Sequence, residues 1–487
     1  MIKSLEKFIG GVLVALVLIV ATSGLQAFAD TYPDPEREGV GTPAAPEQAV
    51  ITKHLEMPIG TTPPNATFTF EFTPLGTAAN PLPPNSQEDI GLSTQTAPAI
   101  NSIDATVTTT TTTVAQPAPR ADVVRATINT ADALSRPAPN NITWPGPGVF
   151  VYRVREAGTF TNTAREHMYF DPVEYNLYIT IGEAVNGDLY VRGTHAWARN
   201  PETGANEGPK LNPNPWRPEN GGSDLIFINR FIRRTDDITT TVPRPPIDGP
   251  GTPVPGPGGT PNPGVPGGLE SALIISKRVT GSTSSVNSTF TFSGALTHTT
   301  LVNEIVADPE ISNSGETYGL VRAWVYYNNG DDFVRGRRAP AGTLPTFYDF
   351  TPGTTPGETG PLTTFELRHG EVLIFERIPV GNIFVTTETN SLTYHPSIDL
   401  MVNGQAIVPR AALTAPGTIG TANVGTPPHR IGEASNIAAF TNTNDPVPIT
   451  GLIMNNLPII LVAAGVIGLV TVVVVNKKHR SFAYNLD

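Results

Sequence analysis

The sequence contains no cysteine, so no disulfide bond can stabilise the protein. Only 15% of its residues are charged and the net charge is −12, which argues against a nucleic-acid partner. None of the GxSxG, HExxH, P-loop or EF-hand spacings is present, and the histidines are scattered along the chain. We therefore expect no turnover of an external substrate, no metal site and no cofactor.

Lysine is scarce over most of the chain. Between Asp30 and Pro446 there are three lysines, Lys53, Lys210 and Lys277, against 23 arginines. A guanidinium stays protonated at neutral pH and cannot act as an amine nucleophile. A chain that carries its positive charge on arginine therefore has few reactive amines, although a codon or lineage bias would give the same ratio.

Only two long apolar runs are present, one near each end. The first, Ile9 to Val20, follows Lys3 and Lys7 and precedes small residues, which predicts a cleaved signal peptide over residues 1–29. A retained signal anchor is the alternative. We therefore expect the mature protein to be exported.

The second apolar run, Leu457 to Val475, contains no charge. As a helix it would span about 28 Å, close to the thickness of a bilayer core. The sequence thus predicts a transmembrane helix over residues 455–476, and the basic tail at 477–487 should stay in the cytoplasm.

A pentapeptide at residues 447–451 precedes this helix, and it consists of Val447, Pro448, Ile449, Thr450 and Gly451. The order of pentapeptide, apolar helix and basic tail resembles the LPxTG sorting signal of Gram-positive surface proteins, with Val447 in place of Leu. The resemblance implies that a sortase cuts between Thr450 and Gly451 and links the threonine to an amine of the cell wall. The alternative is a plain membrane anchor with a chance Pro-x-Thr-Gly.

Between the apolar runs, composition divides the chain into two domains. A proline-rich leader over residues 30–48 precedes the first domain, 49–235, and a Pro/Gly-rich linker at 236–269 separates it from the second, 270–446. Both halves contain short alternating segments and no long stretch of helical period. The sequence predicts an all-β protein of two tandem Ig-like β-sandwich domains.

Turn signals predict three hairpins within these domains. Asn186-Gly187 and Asn403-Gly404 are typical of tight hairpin turns, and Gly370 separates two runs of strand character. A threonine-rich run at 105–114 is either a strand or a glycosylated loop.

Each half repeats one set of polar residues: a lysine in its first strand, a glutamate in a later strand and an asparagine in its last strand. The members are Lys53, Glu156 and Asn229 in the first half and Lys277, Glu388 and Asn442 in the second. Alternate residues of a strand share a face, which places five of the six with core residues. Glu388 is the weaker case because it shares its face with Phe384 and Thr386.

Three such groups can react if they are buried together. Desolvation lowers the pKa of a lysine toward a neutral amine and raises that of a glutamate toward a neutral acid. The amine can then attack the asparagine carbonyl while the glutamate relays protons and polarises that carbonyl. Ammonia leaves, an amide cross-link remains, and proximity supplies roughly 7–11 kcal/mol of the barrier.

The pattern resembles the streptococcal-type pilin isopeptide-linkage domains of Gram-positive surface proteins, and the second half is more similar to the collagen-adhesin B-type repeat. The resemblance lies at residues 51–53, 68–70, 151–156 and 227–229, and at 276–281, 365–367, 385–388 and 440–442. It implies one intramolecular Lys–Asn isopeptide bond in each domain, with the glutamate as catalyst.

Other assignments stay open at this point. Asn444 is a rival acceptor to Asn442, and Glu183 and Glu366 are rival acids. Each of the polar residues would be inert if it faced solvent at a strand end.

Lys210 has no internal role in this scheme, and its Gly-Pro surroundings predict a loop. In pilus-forming relatives a sortase joins the threonine of one subunit to a lysine of the next, so Lys210 is the candidate by elimination. The alternative is that Lys210 is an ordinary solvated lysine.

Two functions are consistent with these features. One is a pilin joined to neighbouring subunits and finally to peptidoglycan at the cell surface. The other is a monomeric wall-anchored adhesin for a host or matrix ligand, and a protein that stays in the membrane uncut is a third reading.

Overall fold

The structure is a computed structural model that describes residues 41–444 with internal gaps. The gaps are 85–91, 117–119, 135–141, 159, 215–222, 236–240, 244–271, 282–286, 308–318, 329–331, 338–342 and 354–358. The predicted signal peptide, sorting pentapeptide and transmembrane helix all lie outside the described residues. Among those described, no helix has the length and apolar character needed to cross a bilayer.

The first domain is a sandwich of two sheets. The five-stranded sheet contains β1 (Thr52–Pro58), β4 (Thr113–Ala115), β5 (Val123–Asn129), β7 (Glu166–Tyr169) and β11 (Ile226–Arg233), in the order β4-β5-β1-β11-β7. The six-stranded sheet contains β2 (Ala66–Pro74), β3 (Ile103–Val107), β6 (Gly148–Ala157), β8 (Glu174–Glu183), β9 (Leu189–Arg199) and β10 (Asn206–Leu211), in the order β10-β9-β8-β6-β2-β3. The inner faces meet where Phe70 packs against Phe227, with ring centroids 4.9 Å apart.

The second domain is also a sandwich of two sheets. The larger contains β12 (Thr241–Pro243), β13 (Leu273–Thr280), β15 (Val321–Asn328), β16 (Asp332–Arg335), β17 (Phe347–Phe350), β19 (Glu371–Phe375), β21 (His395–Val402), β22 (Gln405–Ala412) and β24 (Asn436–Thr443). The smaller contains β14 (Thr289–Thr297), β18 (Thr363–Arg368), β20 (Ile383–Asn390) and β23 (Ile419–Gly420), in the order β18-β14-β20-β23. Phe292 and Phe440 join the two inner faces, with ring centroids 5.1 Å apart.

The all-β prediction is confirmed, and the described residues include one α-helix, α1 (Thr300–Ala307). The sequence pattern missed this helix because eight residues are too few to show a helical period. Its buried side chains, Leu301, Val302 and Ile305, pack against Val123 and Ile232 of the first domain. The helix is therefore part of the contact between the two sandwiches.

Polar contacts also join the domains. Arg233 Nη1 lies 2.6 Å from Glu433 Oε1, and Arg120 pairs with Glu304 of α1. The Val380 N–H donates to the Arg233 carbonyl at 2.9 Å. In addition, β12, within the predicted linker, pairs with β16 of the second sandwich.

Two of the three predicted hairpins are confirmed: β8 pairs with β9 around Asn186-Gly187, and β21 pairs with β22 around Asn403-Gly404. The prediction at Gly370 is wrong, because β18 and β19 belong to opposite sheets. All five residues of β19 are buried, and four of them, 372–375, form a continuous apolar run that indicates a strand covered on both faces. Such a strand fits the middle of the larger sheet, so the chain crosses between the sheets at Gly370.

Candidate cross-linking sites

The first and last strands of each domain lie side by side. β1 pairs with β11 and β13 pairs with β24, both in parallel. In the first domain Lys53 pairs with Phe227, and Leu55 pairs with Asn229. The asparagine thus stands two residues past the position paired with the lysine, an offset that the second domain repeats. An offset of two keeps both side chains on the core face of their sheet.

The first site is closed to solvent. Lys53 and Asn229 are fully buried, and the Glu156 side chain, which comes from β6 of the opposite sheet, is 1% exposed. Lys53 Nζ donates to Glu156 Oε2 at 2.6 Å, and Asn229 Nδ2 donates to Glu156 Oε1 at 2.7 Å. One carboxylate therefore binds the amine with one oxygen and the amide nitrogen with the other.

The carbonyl of Asn229 has its own partner, which the sequence did not indicate. The Asp171 backbone N–H donates to Asn229 Oδ1 at 2.9 Å. An Asp-Pro pair predicts a turn, but it does not predict which distant group the turn will contact. The site therefore includes one backbone group besides the three side chains, and the hydrogen bond to this carbonyl comes from Asp171 rather than from Glu156.

The second site repeats the arrangement with small differences. Lys277 Nζ lies 2.8 Å from both oxygens of Glu388, and Asn442 Nδ2 donates to Glu388 Oε1 at 2.6 Å. Glu388 and Asn442 are fully buried, although the sequence pattern was weakest at Glu388. Asn442 Oδ1 is also buried, and it has no hydrogen-bond partner in the part of the chain that the structure describes.

Burial shifts the pKa values of both pairs toward the neutral forms. Desolvation lowers the pKa of Lys53 and of Lys277 to about 8, although the facing glutamate opposes this shift. Desolvation also raises the pKa of Glu156 and of Glu388, opposed by the lysines. A neutral amine and a neutral carboxylic acid are therefore more accessible here than on the protein surface.

The rival residues lie elsewhere in the fold. Glu183 is exposed at the end of β8, and Glu366 is partly buried on β18, where its N–H bonds Tyr348. Asn444 follows the end of β24, and its N–H donates to the Thr280 carbonyl. The residues that the structure brings together at the two lysines are Glu156, Asn229, Glu388 and Asn442.

The predicted loop at Lys210 is wrong, because Lys210 is an exposed residue of the edge strand β10. Pairing of β10 with β9 is irregular between Glu207 and Leu211. Pro and Gly are tolerated in an edge strand at such an irregularity, which explains why the local signal was misleading.

Comparison with known proteins gives only distant similarities. No family model and no curated protein matches the chain. Among solved structures, the major pilin of Streptococcus pyogenes is 14% identical, with 82% of this chain and 99% of that chain covered and a TM-score of 0.28. A pilus-presented adhesin is 14% identical, with 52% of this chain and 36% of that chain covered and a TM-score of 0.19. Scores this low carry no argument about function, which has to come from the two buried sites.

Proposed function

We propose that the protein is a structural surface protein of a Gram-positive bacterium, a pilin subunit stabilised by one Lys–Asn isopeptide bond in each domain. The observation that carries this proposal is the repeated buried Lys–Glu–Asn site between the first and last strands. A buried ion pair alone contributes little to stability. Two independent sandwiches with the same three groups in hydrogen-bonding contact therefore favour a chemical role.

The geometry of the first site supports a bifunctional role for Glu156. The Lys53 ammonium first passes a proton to the carboxylate, which gives a neutral amine and a carboxylic acid. Nζ then attacks Cγ of Asn229, and the carboxyl group, which contacts both nitrogens, gives its proton to Nδ2 and takes one from Nζ. The Cγ–Nδ2 bond breaks, ammonia leaves, and the carboxylic acid is regenerated beside the new amide.

Intact mass tests the cross-links. The segment from Asp30 to Thr450 contains all the described residues and would be produced in a host without sortase. We expect its mass to be lower than the calculated mass by two ammonia molecules. The full calculated mass would contradict the proposal.

The rate of bond formation should depend on pH in a bell shape. In the reactive state each Lys–Glu pair carries one exchangeable proton, which either the amine or the carboxyl group can hold. Above about pH 8 the lysine and with it the pair loses this proton, so the rate of bond formation should fall. It should also fall below the raised pKa of Glu156 and Glu388, where the carboxyl is protonated while the amine is still an ammonium. The starting material is chain that has not yet cross-linked, recovered in urea from inclusion bodies and verified by its full calculated mass. Refolding it at a series of pH values, with the mass followed over time, measures the profile. A rate that keeps rising well above pH 8 would instead show that the ionised carboxylate acts as a simple base.

Polymerisation is proposed to proceed through Thr450 and Lys210. Sortase would cut after Thr450 of one subunit and join it to the exposed lysine of the next, and the finished polymer would be attached to peptidoglycan. The position of Lys210 on an exposed edge strand supports access by an enzyme.

The Lys210→Arg variant keeps the positive charge but removes the amine nucleophile. In cells that express the matching sortase, we expect the native chain to give a high-molecular-weight ladder on denaturing gels and the variant to give monomer only. A ladder that persists in the variant would exclude Lys210 as the linkage residue. A native chain that stays monomeric on the wall would favour the adhesin.

A further inference from the structure

The two sites share their lysine, glutamate and asparagine, but they differ at the oxygen of the reacting carbonyl. Asn229 Oδ1 accepts the Asp171 backbone N–H at 2.9 Å. Asn442 Oδ1, which is also buried, has no such donor among the residues that the structure describes. This difference bears directly on the chemistry, because this oxygen gains negative charge when an amine adds to the carbonyl carbon.

The side chain of Asp171 fixes the position of its own N–H. Its Oδ2 accepts the Ile228 N–H at 2.8 Å, and its Oδ1 accepts the Val173 N–H at 3.1 Å. Ile228 directly precedes Asn229 on β11. The carboxylate therefore ties the turn after β7 to the strand that carries the acceptor, and the N–H points at the carbonyl oxygen before any reaction takes place.

The same contact fixes the orientation of the Asn229 amide. A backbone N–H requires an oxygen opposite it, so Oδ1 faces Asp171 and Nδ2 faces Glu156. The leaving nitrogen thus lies beside the acid that must protonate it. In the second site Glu388 is the one described residue that forms a hydrogen bond with the side-chain amide of Asn442.

We propose that the Asp171 N–H acts as an oxyanion donor for the first bond, with the Asp171 carboxylate as a positioning group, and that the first domain therefore cross-links faster than the second. The inference rests on the proposed function. A preorganised donor of this kind is worth roughly 10²–10³ in rate, because its dipole stabilises charge that appears only in the transition state. We expect the first bond to form about 100-fold faster than the second.

The test follows both bonds in one chain. The full chain is recovered in urea from inclusion bodies before any bond has formed, as its intact mass verifies. It is then refolded by dilution with a mild detergent, quenched in acid at successive times and digested. Mass spectrometry then quantifies the peptide pair joined through Lys53 and the pair joined through Lys277. Rates are taken after tryptophan fluorescence shows that folding is complete, so that the chemical step is measured.

Variants of Asp171 separate the donor from its support. Asp171→Ala removes both acceptors that hold the turn, so the first bond should slow toward the rate of the second, which serves as the internal control. Asp171→Asn keeps one acceptor oxygen, so the rate of the first bond should lie between those of the native chain and Asp171→Ala. The rate of the second bond should stay the same in both variants, which a general loss of stability would not give.

The outcomes are distinct. A faster first bond that Asp171→Ala slows selectively supports the inference. Equal rates in the native chain, or a faster second bond, would overturn it while leaving the proposed function intact. If neither linked peptide pair forms, both the inference and the proposed function are overturned.

Discussion

Replacing Glu156 with alanine should leave the first domain without its covalent bond and lower its melting temperature by at least about 10–20 °C, because the buried Lys53 amine also loses its carboxylate partner. The Lys53–Asn229 bond closes a loop of roughly 180 residues, which in the chain-entropy account removes about 5 kcal/mol of freedom from the unfolded state. Each kcal/mol corresponds to about 2–4 °C for a domain of this size. Calorimetry on the variant and the native protein measures the shift, and intact mass should show that the variant regains one ammonia molecule.

Two further variants separate the bond from other effects. Glu156→Gln keeps the volume of the side chain, so a melting temperature close to that of Glu156→Ala would assign the loss to the bond rather than to a cavity. Glu71→Ala removes a carboxylate from the neighbouring strand, where Glu71 is 41% exposed beside Arg155. This control variant should form both bonds and melt at the same temperature as the native protein. A Glu156→Ala protein that still lacks two ammonia molecules would show that another group, such as Asp171, catalyses the reaction.

Replacing Lys277 with methionine should remove a large part of the stability of the second domain. In the cross-linked domain Lys277 is an amide and the fully buried Glu388 is a neutral acid, so the variant loses the bond but no ion pair. Loss of the bond alone is worth about 5 kcal/mol. This is comparable with the whole stability of a marginally stable domain. Urea unfolding followed by near-UV circular dichroism measures the loss.

A second substitution should reverse part of this loss. In the Lys277→Met/Glu388→Leu protein a hydrocarbon side chain replaces the buried carboxyl group, so about 1–4 kcal/mol should return although no bond forms. Lys210→Met, which removes an exposed lysine, is the matched control and should unfold like the native protein. If Lys277→Met alone is as stable as the double variant, the unpaired Glu388 is protonated in the folded state and costs little.

Strand parity predicted most of the site because it is a local property. Lys53 alternates with Ile51 and Leu55, and Asn229 alternates with Phe227 and Phe231, so each inward direction could be read from the neighbouring apolar residues. All of these side chains are buried in the structure. The prediction was weaker for Glu388 because Thr386 shares its strand face, and threonine occurs on core faces as well as on solvent faces. Thr386 is nevertheless 1% exposed, so this face of the strand is a core face.

What the sequence did not predict depends on contacts between distant segments. The Asp171 N–H meets Asn229 across 58 positions of the chain, and no local pattern encodes that contact. The crossing at Gly370 has the same cause, since the partner strands rather than the turn determine whether two runs form a hairpin. Lys210 lies in a strand because β9 offers a free edge, which overrides the Gly-Pro signal.

The pairing of the first strand with the last has a consequence for attack by proteases. With the two proposed bonds in place, each peptide bond between Lys53 and Asn229, or between Lys277 and Asn442, would lie within a covalently closed circle. A single cut there opens the circle but releases no fragment. Residues 230–276 lie between the two circles, and a single cut there breaks the covalent connection between the domains. These residues include the Pro/Gly-rich segment at 236–269. A protein of this design can be nicked in either sandwich and still connect whatever is attached to its two ends.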